Sequence, residues 1–189
     1  AVEAAKSSNM PKDNIERAIQ KAVGKDAGEL EEVIYEGFAP EGLSVIIEAA
    51  TDNPLRTTSE IKNIFNKEGG NFGKPGSVAY LFSQKGIIIL NKNGRSIDEL
   101  FEIALESGAE DIEDNQGKVI ITTSFADLAK VSDKLAAKGI TIEQAQIIRK
   151  PLNTISISNL EKLNKVTNFL NKIEELDDVQ KIYSNLATN

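Results

Sequence analysis

Two kinds of hydrophobic periodicity alternate along this 189-residue chain, and this alternation limits the fold more than any other feature. Some segments place apolar residues every three to four positions, as in an amphipathic helix, and others every second position, as in a half-buried strand. Strand-type segments also follow one another directly, as in residues 31–52, where the turn sequence APEG separates two of them. Because hairpins interrupt the helices, the pattern predicts an α+β fold rather than a doubly wound parallel sheet.

Several segments predict particular elements. Residues 77–90 predict a β-hairpin, and residues 153–158 predict a further strand. The segments 118–149 and 154–184 each have the order strand, helix, strand. We therefore expect two small α+β lobes of the ferredoxin-like, split βαβ type.

The helix that follows residue 95 has a clear start signal. Ser96 and Glu99 form an S-x-x-E capping pattern, and the helical periodicity continues to about Ser107. The same periodicity predicts that Phe101 and Leu105 lie on the buried face of this helix.

The composition excludes several classes of site. The chain contains no cysteine and no histidine, so disulfides, ordinary zinc sites and Ser-His-Asp or Cys-His catalysis are not possible. No segment approaches the roughly 20 apolar residues that cross a bilayer, so we expect no membrane partner. A cytoplasmic protein is the expectation from these features.

The stretch GGNFGKPGS, residues 69–77, resembles a phosphate-binding loop but does not match one. A P-loop requires Gly at position 68 and Ser or Thr at position 75, where this chain has Glu68 and Pro75. The stretch also precedes a strand-type segment, whereas a P-loop opens a helix. Gly69 fits a helix C-cap, and Lys74 remains a candidate for contact with a nucleic-acid backbone.

The acidic residues do not predict a metal or catalytic site. Residues 109–117 fail the EF-hand pattern, because a loop that begins at Asp111 would place Gln116 and Thr122 where glycine and glutamate are required. Paired carboxylates such as Glu31 and Glu32 are not brought into a cleft by any sequence signal. We expect no catalytic residue, no cofactor and no small-molecule substrate.

The charge is unevenly distributed around a net value of −7. Residues 96–117 hold eight acidic residues and no Lys or Arg, whereas residues 1–25 hold five bases and three acids. Arg17, Lys21 and Lys25 share one stripe of a predicted helix over residues 9–25, and Lys12 lies near its start. Such a stripe can neutralise phosphates, although it also fits a solvated helix face.

Two long stretches resemble one known family. SNMPKDNIERAIQKAVGK and YEGFAPEGLSVIIEAATDNPLRTTSEIKNIFNKEGGNFGKPGSVAYLF are similar to the YebC/PmpR family, which includes the mitochondrial translational activator of cytochrome oxidase subunit 1. The resemblance implies a helical N-terminal domain, here residues 1–29, and two α+β domains. The middle domain would comprise residues 30–90 and 150–189, and the inserted domain residues 91–149. Family members begin with a basic segment that contains Gly-His-Ser-Lys-Trp, which has no match here, so we expect a missing N-terminal piece.

The resemblance implies a nucleic-acid-binding regulator of gene expression, most simply a DNA-binding transcriptional regulator. The alternative is a ribosome-associated translation factor that binds rRNA or tRNA, located in mitochondria if the chain is eukaryotic. A third possibility is a protein-interaction module that uses its acidic lobe. The expected nucleic-acid-binding residues are Lys12, Arg17, Lys21, Lys25, Asn53, Arg56, Lys62, Asn71 and Lys74. Asn53 could equally be a helix cap, and Asn71 a turn residue.

Overall fold

A computed structural model describes residues 30–115 and 117–187, which form eight strands, four α-helices and two short 3-10 turns. The strands are β1 (Glu31–Phe38), β2 (Ser44–Thr51), β3 (Asn71–Phe72), β4 (Phe82–Asn91), β5 (Asp111–Asn115), β6 (Lys118–Ser124), β7 (Ile142–Pro151) and β8 (Val179–Ser184). The helices are α1 (Pro54–Glu68), α2 (Ile97–Ser107), α3 (Leu128–Ala137) and α4 (Leu160–Glu174). The 3-10 turns are Pro40–Gly42 and Ala79–Leu81. The predicted helix over residues 9–25 lies outside the described residues.

The first unit is a four-stranded antiparallel sheet in the order β3-β1-β2-β8, with α1 and α4 on one face. The β1–β2 hairpin is in register from Glu31 opposite Thr51 to Phe38 opposite Ser44. Alternate residues of β1 and β2 face the helices and bury an apolar core, as the period of two requires. The core residues include Tyr35, Leu43, Val45, Ile47, Ile61, Phe65, Val166, Phe169 and Ile173.

The second unit is also a four-stranded antiparallel sheet, in the order β5-β6-β4-β7, with α2 and α3 on one face. Along the chain its elements follow the order β-α-β-β-α-β, with the first and third strands in the centre of the sheet. This is the split βαβ arrangement, so the α+β prediction is confirmed. The core residues are Ile88, Leu90, Leu100, Ala104, Val119, Ile121, Val131, Leu135 and Ile140.

The structure corrects two predicted strands. Residues 77–90 do not form a hairpin, because the backbone N–H groups of Val78 and Ala79 donate to the Glu36 carboxylate instead of joining a ladder. A single strand, β4, begins only at Phe82. The predicted strand over 153–158 is reduced to one isolated parallel bridge, from Ile155 to Leu186.

The two sheets meet where the chain passes between them at β4 and β7. Leu152 N donates to Leu81 O (2.9 Å), and Arg149 Nε donates to Glu48 Oε1 (2.9 Å).

Tyr183 lies at the same junction, next to Glu48. Burial, together with the charge of Glu48, raises the pKa of Tyr183 to about 12, against the opposing effect of Arg149. Both β4 and β7 belong to the second sheet, so the chain passes from one sheet to the other near residues 82 and 151. The domain boundaries expected from the sequence stay a prediction.

Candidate nucleic-acid interface

Helix α1 separates the predicted site residues of the first unit into two groups. Asn53 and Arg56 lie at its start, whereas Lys62 lies along it and Asn71 and Lys74 lie beyond its end. The helix has 15 residues, so its two ends are separated by roughly 22 Å at 1.5 Å per residue. The remaining predicted bases, in residues 1–29, lie outside the described part of the chain.

Asn53 and Arg56 are held by contacts within the protein. Asn53 is the N-cap of α1, and its Oδ1 accepts a hydrogen bond from Arg56 N (3.2 Å). The Arg56 guanidinium donates to Asp178 Oδ2 (2.9 Å) and to Asp52 Oδ1 (3.0 Å). The alternative role for Asn53, helix capping, is thus the one seen here.

Asp178 is the centre of a buried polar network. Its Oδ2 accepts hydrogen bonds from Thr57 Oγ1 (2.7 Å), Thr51 Oγ1 (3.0 Å) and Arg56. Burial raises the pKa of this carboxyl, but the hydrogen bonds from Thr57, Arg56 and Thr51 outweigh it and lower the pKa overall. The carboxylate therefore stays ionised at neutral pH and fixes β8 against β2 and α1.

The surface around Arg56 is acidic. Besides Asp52 and Asp178, the pocket next to it is lined by Glu60, Glu175 and Asp177. A phosphate group that approached Arg56 would meet these carboxylates as well, and their repulsion would oppose binding. This end of α1 is unfavourable for a polyanion.

The opposite end of α1 is basic. The helix ends at Gly69, whose φ of +80° is the left-handed conformation that glycine adopts without strain. The Lys62 ammonium lies 5.2 Å from the centre of the Phe72 ring, and a Cβ at Gly69 would lie 3.6 Å from the Lys165 ammonium. Lys62 and Lys165 therefore lie next to the same turn, residues 69–72.

We call this surface the basic turn and define it as Lys62, Asn71, Lys74 and Lys165. All four residues are exposed, and none of the three lysines forms a salt bridge with another described residue. Glu41, Glu68 and Glu161 line the same depression as Lys165, but Glu41 is paired with Lys162 and Glu68 with Lys172.

The glycine-rich loop after β3 is closed by an internal carboxylate. Glu36 accepts hydrogen bonds from Gly76 N (2.7 Å), Val78 N (2.8 Å) and Ala79 N (2.8 Å). Burial raises the pKa of Glu36, but these backbone hydrogen bonds outweigh it and lower the pKa. The loop N–H groups that could have held a phosphate are occupied by Glu36, and the loop instead presents Lys74 and Tyr80 in a fixed conformation.

Lys165 of the basic turn, and Tyr80 in the neighbouring loop, were not predicted from the sequence as candidate binding residues. Lys165 belongs to α4, and it reaches the turn because α1 and α4 pack through Phe65 and Phe169, whose ring centres are 4.9 Å apart. Tyr80 was assigned to a predicted strand, but it lies in the 3-10 turn and is 69% exposed. No local sequence signal identifies Lys165. The exposed position of Tyr80 could not be predicted either, because it depends on the hydrogen bonds from Val78 N and Ala79 N to Glu36.

Over residues 30–115 and 117–187, no group of three or more Asp, Glu, His or Cys side chains is placed to bind a metal ion. None of the helices described here combines the length and the apolar character that crossing a bilayer requires.

The fold and its charges define an α+β protein whose two units carry different surfaces, a basic turn on the first and an acidic helix and strand on the second. The chain belongs to the TACO1/YebC family, since the model of that family's second and third domain matches residues 30–186.

Similar proteins cover nearly the whole chain. A "probable transcriptional regulatory protein" of Aquifex aeolicus is 48% identical over 186 residues, which is 98% of this chain and 75% of that protein. A protein of the same description from Thermotoga maritima is 43% identical over 98% of this chain and 73% of its own length. The crystal structure of a conserved hypothetical protein from Aquifex aeolicus is similar with a TM-score of 0.78 and 46% identity, covering 98% of this chain and 77% of that one.

Proposed function

We propose that the protein is a non-enzymatic, cytoplasmic regulator of gene expression that binds nucleic acid through cationic surfaces. DNA is the first proposed target, since the similar proteins from Aquifex aeolicus and Thermotoga maritima are described as probable transcriptional regulatory proteins. The observation that carries the proposal is the basic turn, where Lys62, Lys74 and Lys165 are exposed without an ion pair among the described residues. Lysines arranged in this way bind phosphates without reading base sequence.

The net charge of −7 is not confined to one unit, since residues 30–81 and 152–189 hold 13 acidic and 8 basic residues and residues 82–151 hold 11 and 9. Exposed charges are largely screened beyond about 8 Å at physiological salt. A nucleic acid on the basic turn would therefore interact mainly with the charges close to Lys62, Lys74 and Lys165 rather than with the net charge of the chain.

The test is a double charge reversal, Lys62→Glu/Lys74→Glu, measured by duplex DNA affinity over a series of salt concentrations. The plot of log K against log salt has a negative slope, and each lost phosphate contact makes it less steep by about 0.9. The double variant is therefore expected to make the slope less steep by about 1.8. The control is Lys118→Glu/Lys130→Glu, which makes the same change of net charge on the second unit. Equal losses in both variants would contradict a binding role for the basic turn.

The predicted N-terminal bases form a second arm of the same test. In the variant Arg17→Glu/Lys21→Glu/Lys25→Glu, with Lys12 retained, we expect a further loss of affinity because three more phosphate contacts are removed. Unchanged attachment to DNA and to ribosomes in this variant would show that the helix stripe is a solvated surface.

One observation favours RNA as a second candidate target. Tyr80 is 69% exposed and belongs to the same Glu36-bonded loop as Lys74. A base could therefore stack on its ring while Lys74 binds the adjacent phosphate. Unpaired bases are offered by rRNA and tRNA loops and not by intact duplex DNA. Tyr80→Ala is expected to weaken binding to an rRNA hairpin with an unpaired loop and to leave duplex binding unchanged. A loss of hairpin binding, combined with ribosome co-sedimentation of the unmodified protein, would support a role in translation.

A further inference from the structure

Helix α2 exposes two large apolar side chains that its sequence pattern predicts to be buried. Phe101 is 50% exposed and Leu105 is 62% exposed. They are four residues apart and therefore form one ridge along the helix. The buried positions of α2 are instead Leu100, Ala104 and Ser107.

This ridge lies on the flank of α2 that faces away from α3. On the α3 side, Lys138 forms a salt bridge with Glu106, and Lys134 Nζ donates to Ser107 O (3.2 Å). At 100° of rotation per residue, Phe101 and Leu105 lie about 140° and 100° around the helix axis from Glu106, and thus outside the flank that contacts α3.

Strand β5, which α2 contacts, is an edge of its sheet. α2 contacts β5, whereas α3 contacts β4, β6 and β7. β5 pairs with β6 on one side, and no other described strand pairs with its outer side. Alternate N–H and C=O groups of Asp111–Asn115 therefore point outward, as they do in any edge strand.

The two faces of β5 differ in chemistry. Ile112 faces the helices and packs against the core of the second unit, on the same side as the Phe101–Leu105 ridge. Asp111 and Glu113 point to the other face of the sheet, because side chains alternate along a strand. Neither carboxylate forms a salt bridge with a described residue, whereas Asp114 is paired with Lys92.

The geometry points to a docking surface for an extended, lysine-rich peptide segment of another protein, formed by the outer edge of β5 and the Phe101–Leu105 flank of α2. The peptide adds to the sheet as a strand antiparallel or parallel to β5 through backbone hydrogen bonds. Its apolar side chains lie against Ile112, Phe101 and Leu105, and its lysines on the alternate face pair with Asp111 and Glu113.

The charges select this occupant over two others. A second copy of the same edge would place its carboxylates opposite Asp111 and Glu113, and like charges directly opposite each other destabilise a strand pair. A nucleic acid would meet Asp98, Glu102, Asp111 and Glu113, the four acidic residues of 96–117 that form no salt bridge with a described base. A strand that alternates basic and apolar residues places its apolar side chains next to Ile112 and its charges next to Asp111 and Glu113.

The probe is a labelled seven-residue peptide that alternates lysine and valine, titrated into the full chain by fluorescence anisotropy. We expect saturable binding that Leu105→Asp weakens about tenfold or more, since a central apolar contact is replaced by a desolvated charge. The matched control is Leu160→Asp, because Leu160 is 75% exposed on α4 of the other unit. We expect the control to bind as the unmodified protein does.

Two further measurements separate strand addition from simple charge attraction. A peptide with the same composition in blocks, and one with N-methylated valines, are both expected to bind at least about tenfold more weakly, because alternation or backbone donors are lost. Slowed amide hydrogen exchange within residues 111–115 is expected on binding of the alternating peptide. Equal binding of all three peptides, insensitivity to Leu105→Asp, or self-association of the chain through this edge would overturn the inference. Duplex DNA affinity of Leu105→Asp is expected to be unchanged, so this test is independent of the proposed function.

Discussion

The two units of this protein have the same composition of elements but are stabilised by different interactions. Each is a four-stranded antiparallel sheet with two helices on one face and an apolar core between them. The first unit adds two buried carboxylates, Glu36 and Asp178, each of which accepts several hydrogen bonds. The second unit relies on an aliphatic core, and its charged pairs, such as Lys85 with Glu110, are partly exposed.

The buried carboxylates of the first unit explain why two similar sheets present different surfaces. In the first unit, buried carboxylates fix the loops that connect separate parts of the chain, so residues 73–81 and the start of β8 hold one conformation without forming regular structure. In the second unit the connections are short, and most acidic residues are left on the surface. The first unit can therefore present lysines on a fixed loop, whereas the second presents carboxylates on a helix and an edge strand.

The largest expected effect comes from the aromatic centre of the first core. Phe65 is fully buried and packs edge-on against Phe72 and Phe169, with ring centres 5.6 and 4.9 Å away. Phe65→Ala is expected to lower the free energy of unfolding by about 4 kcal/mol, since it removes a large side chain and leaves a cavity. Ile88→Ala, in the second core, is expected to cost about 3 kcal/mol. Urea denaturation followed by circular dichroism measures both, and a cost below about 1 kcal/mol for Phe65→Ala would contradict the packing described here.

Asp178→Asn tests the buried network that the second unit does not have. The substitution keeps the shape of the side chain and removes the charge that strengthens the hydrogen bonds from Thr51 and Thr57. We expect a loss of about 2 kcal/mol in the free energy of unfolding. The control is the exposed neighbour Asp177→Asn, for which the expected change is within about 0.5 kcal/mol. Similar values for the two variants would show that the network contributes little.

The two buried carboxylates also predict a dependence of stability on pH. Because the pKa values of Glu36 and Asp178 are lowered in the folded protein, their stabilisation is present above the unfolded-state pKa values, about 4, and is lost as the pH falls through the folded values. Glu36→Gln should flatten this acid dependence while it loosens the loop that carries Lys74 and Tyr80. Unfolding free energies from pH 7 to pH 3 give the comparison, and an unchanged acid dependence in Glu36→Gln would contradict the assignment.

The smallest expected effect is at the junction between the units. The Arg149–Glu48 pair joins β7 of the second sheet to β2 of the first. A double-mutant cycle with Arg149→Met and Glu48→Gln is expected to give a coupling energy of about 1 kcal/mol, because the contact is direct and partly buried. A coupling energy of zero would show that this ion pair contributes nothing to the junction between the units.

Local signals predicted most helices and strands correctly. Asn53 caps α1, Gly69 ends it in the left-handed conformation, and Ser96 accepts from Glu99 N (3.1 Å) at the start of α2, as the sequence patterns indicate. The last helix, α4, is capped by Asn159, whose Oδ1 accepts a hydrogen bond from Lys162 N (3.0 Å). Each of these outcomes depends on hydrogen bonds between residues that are near in sequence.

The surroundings of the predicted binding residues could not be read from the sequence, because contacts between distant residues decide them. Lys62, Asn71 and Lys74 are exposed as expected for binding residues, but Arg56 is paired with Asp178, which lies 122 positions later in the chain. Phe101 and Leu105 satisfy a helical period and are nevertheless exposed, since α2 lies at the edge of the sheet with no element beyond it among the described residues. A hydrophobic period identifies an apolar face but not how much of that face a neighbouring element covers.

The α+β class, the helix ends, the separation of acidic from basic segments and the family resemblance could all be predicted from the sequence, because each depends on local order or on composition. Which charges are neutralised depends on contacts between distant residues. The tertiary structure brought Lys165 next to the turn after α1, paired Arg56 with Asp178, and filled the glycine-rich loop with the carboxylate of Glu36. The physical reason is that a charge is neutralised by whatever lies within a few ångströms of it, and only the packing of the two sheets and their helices sets those neighbours.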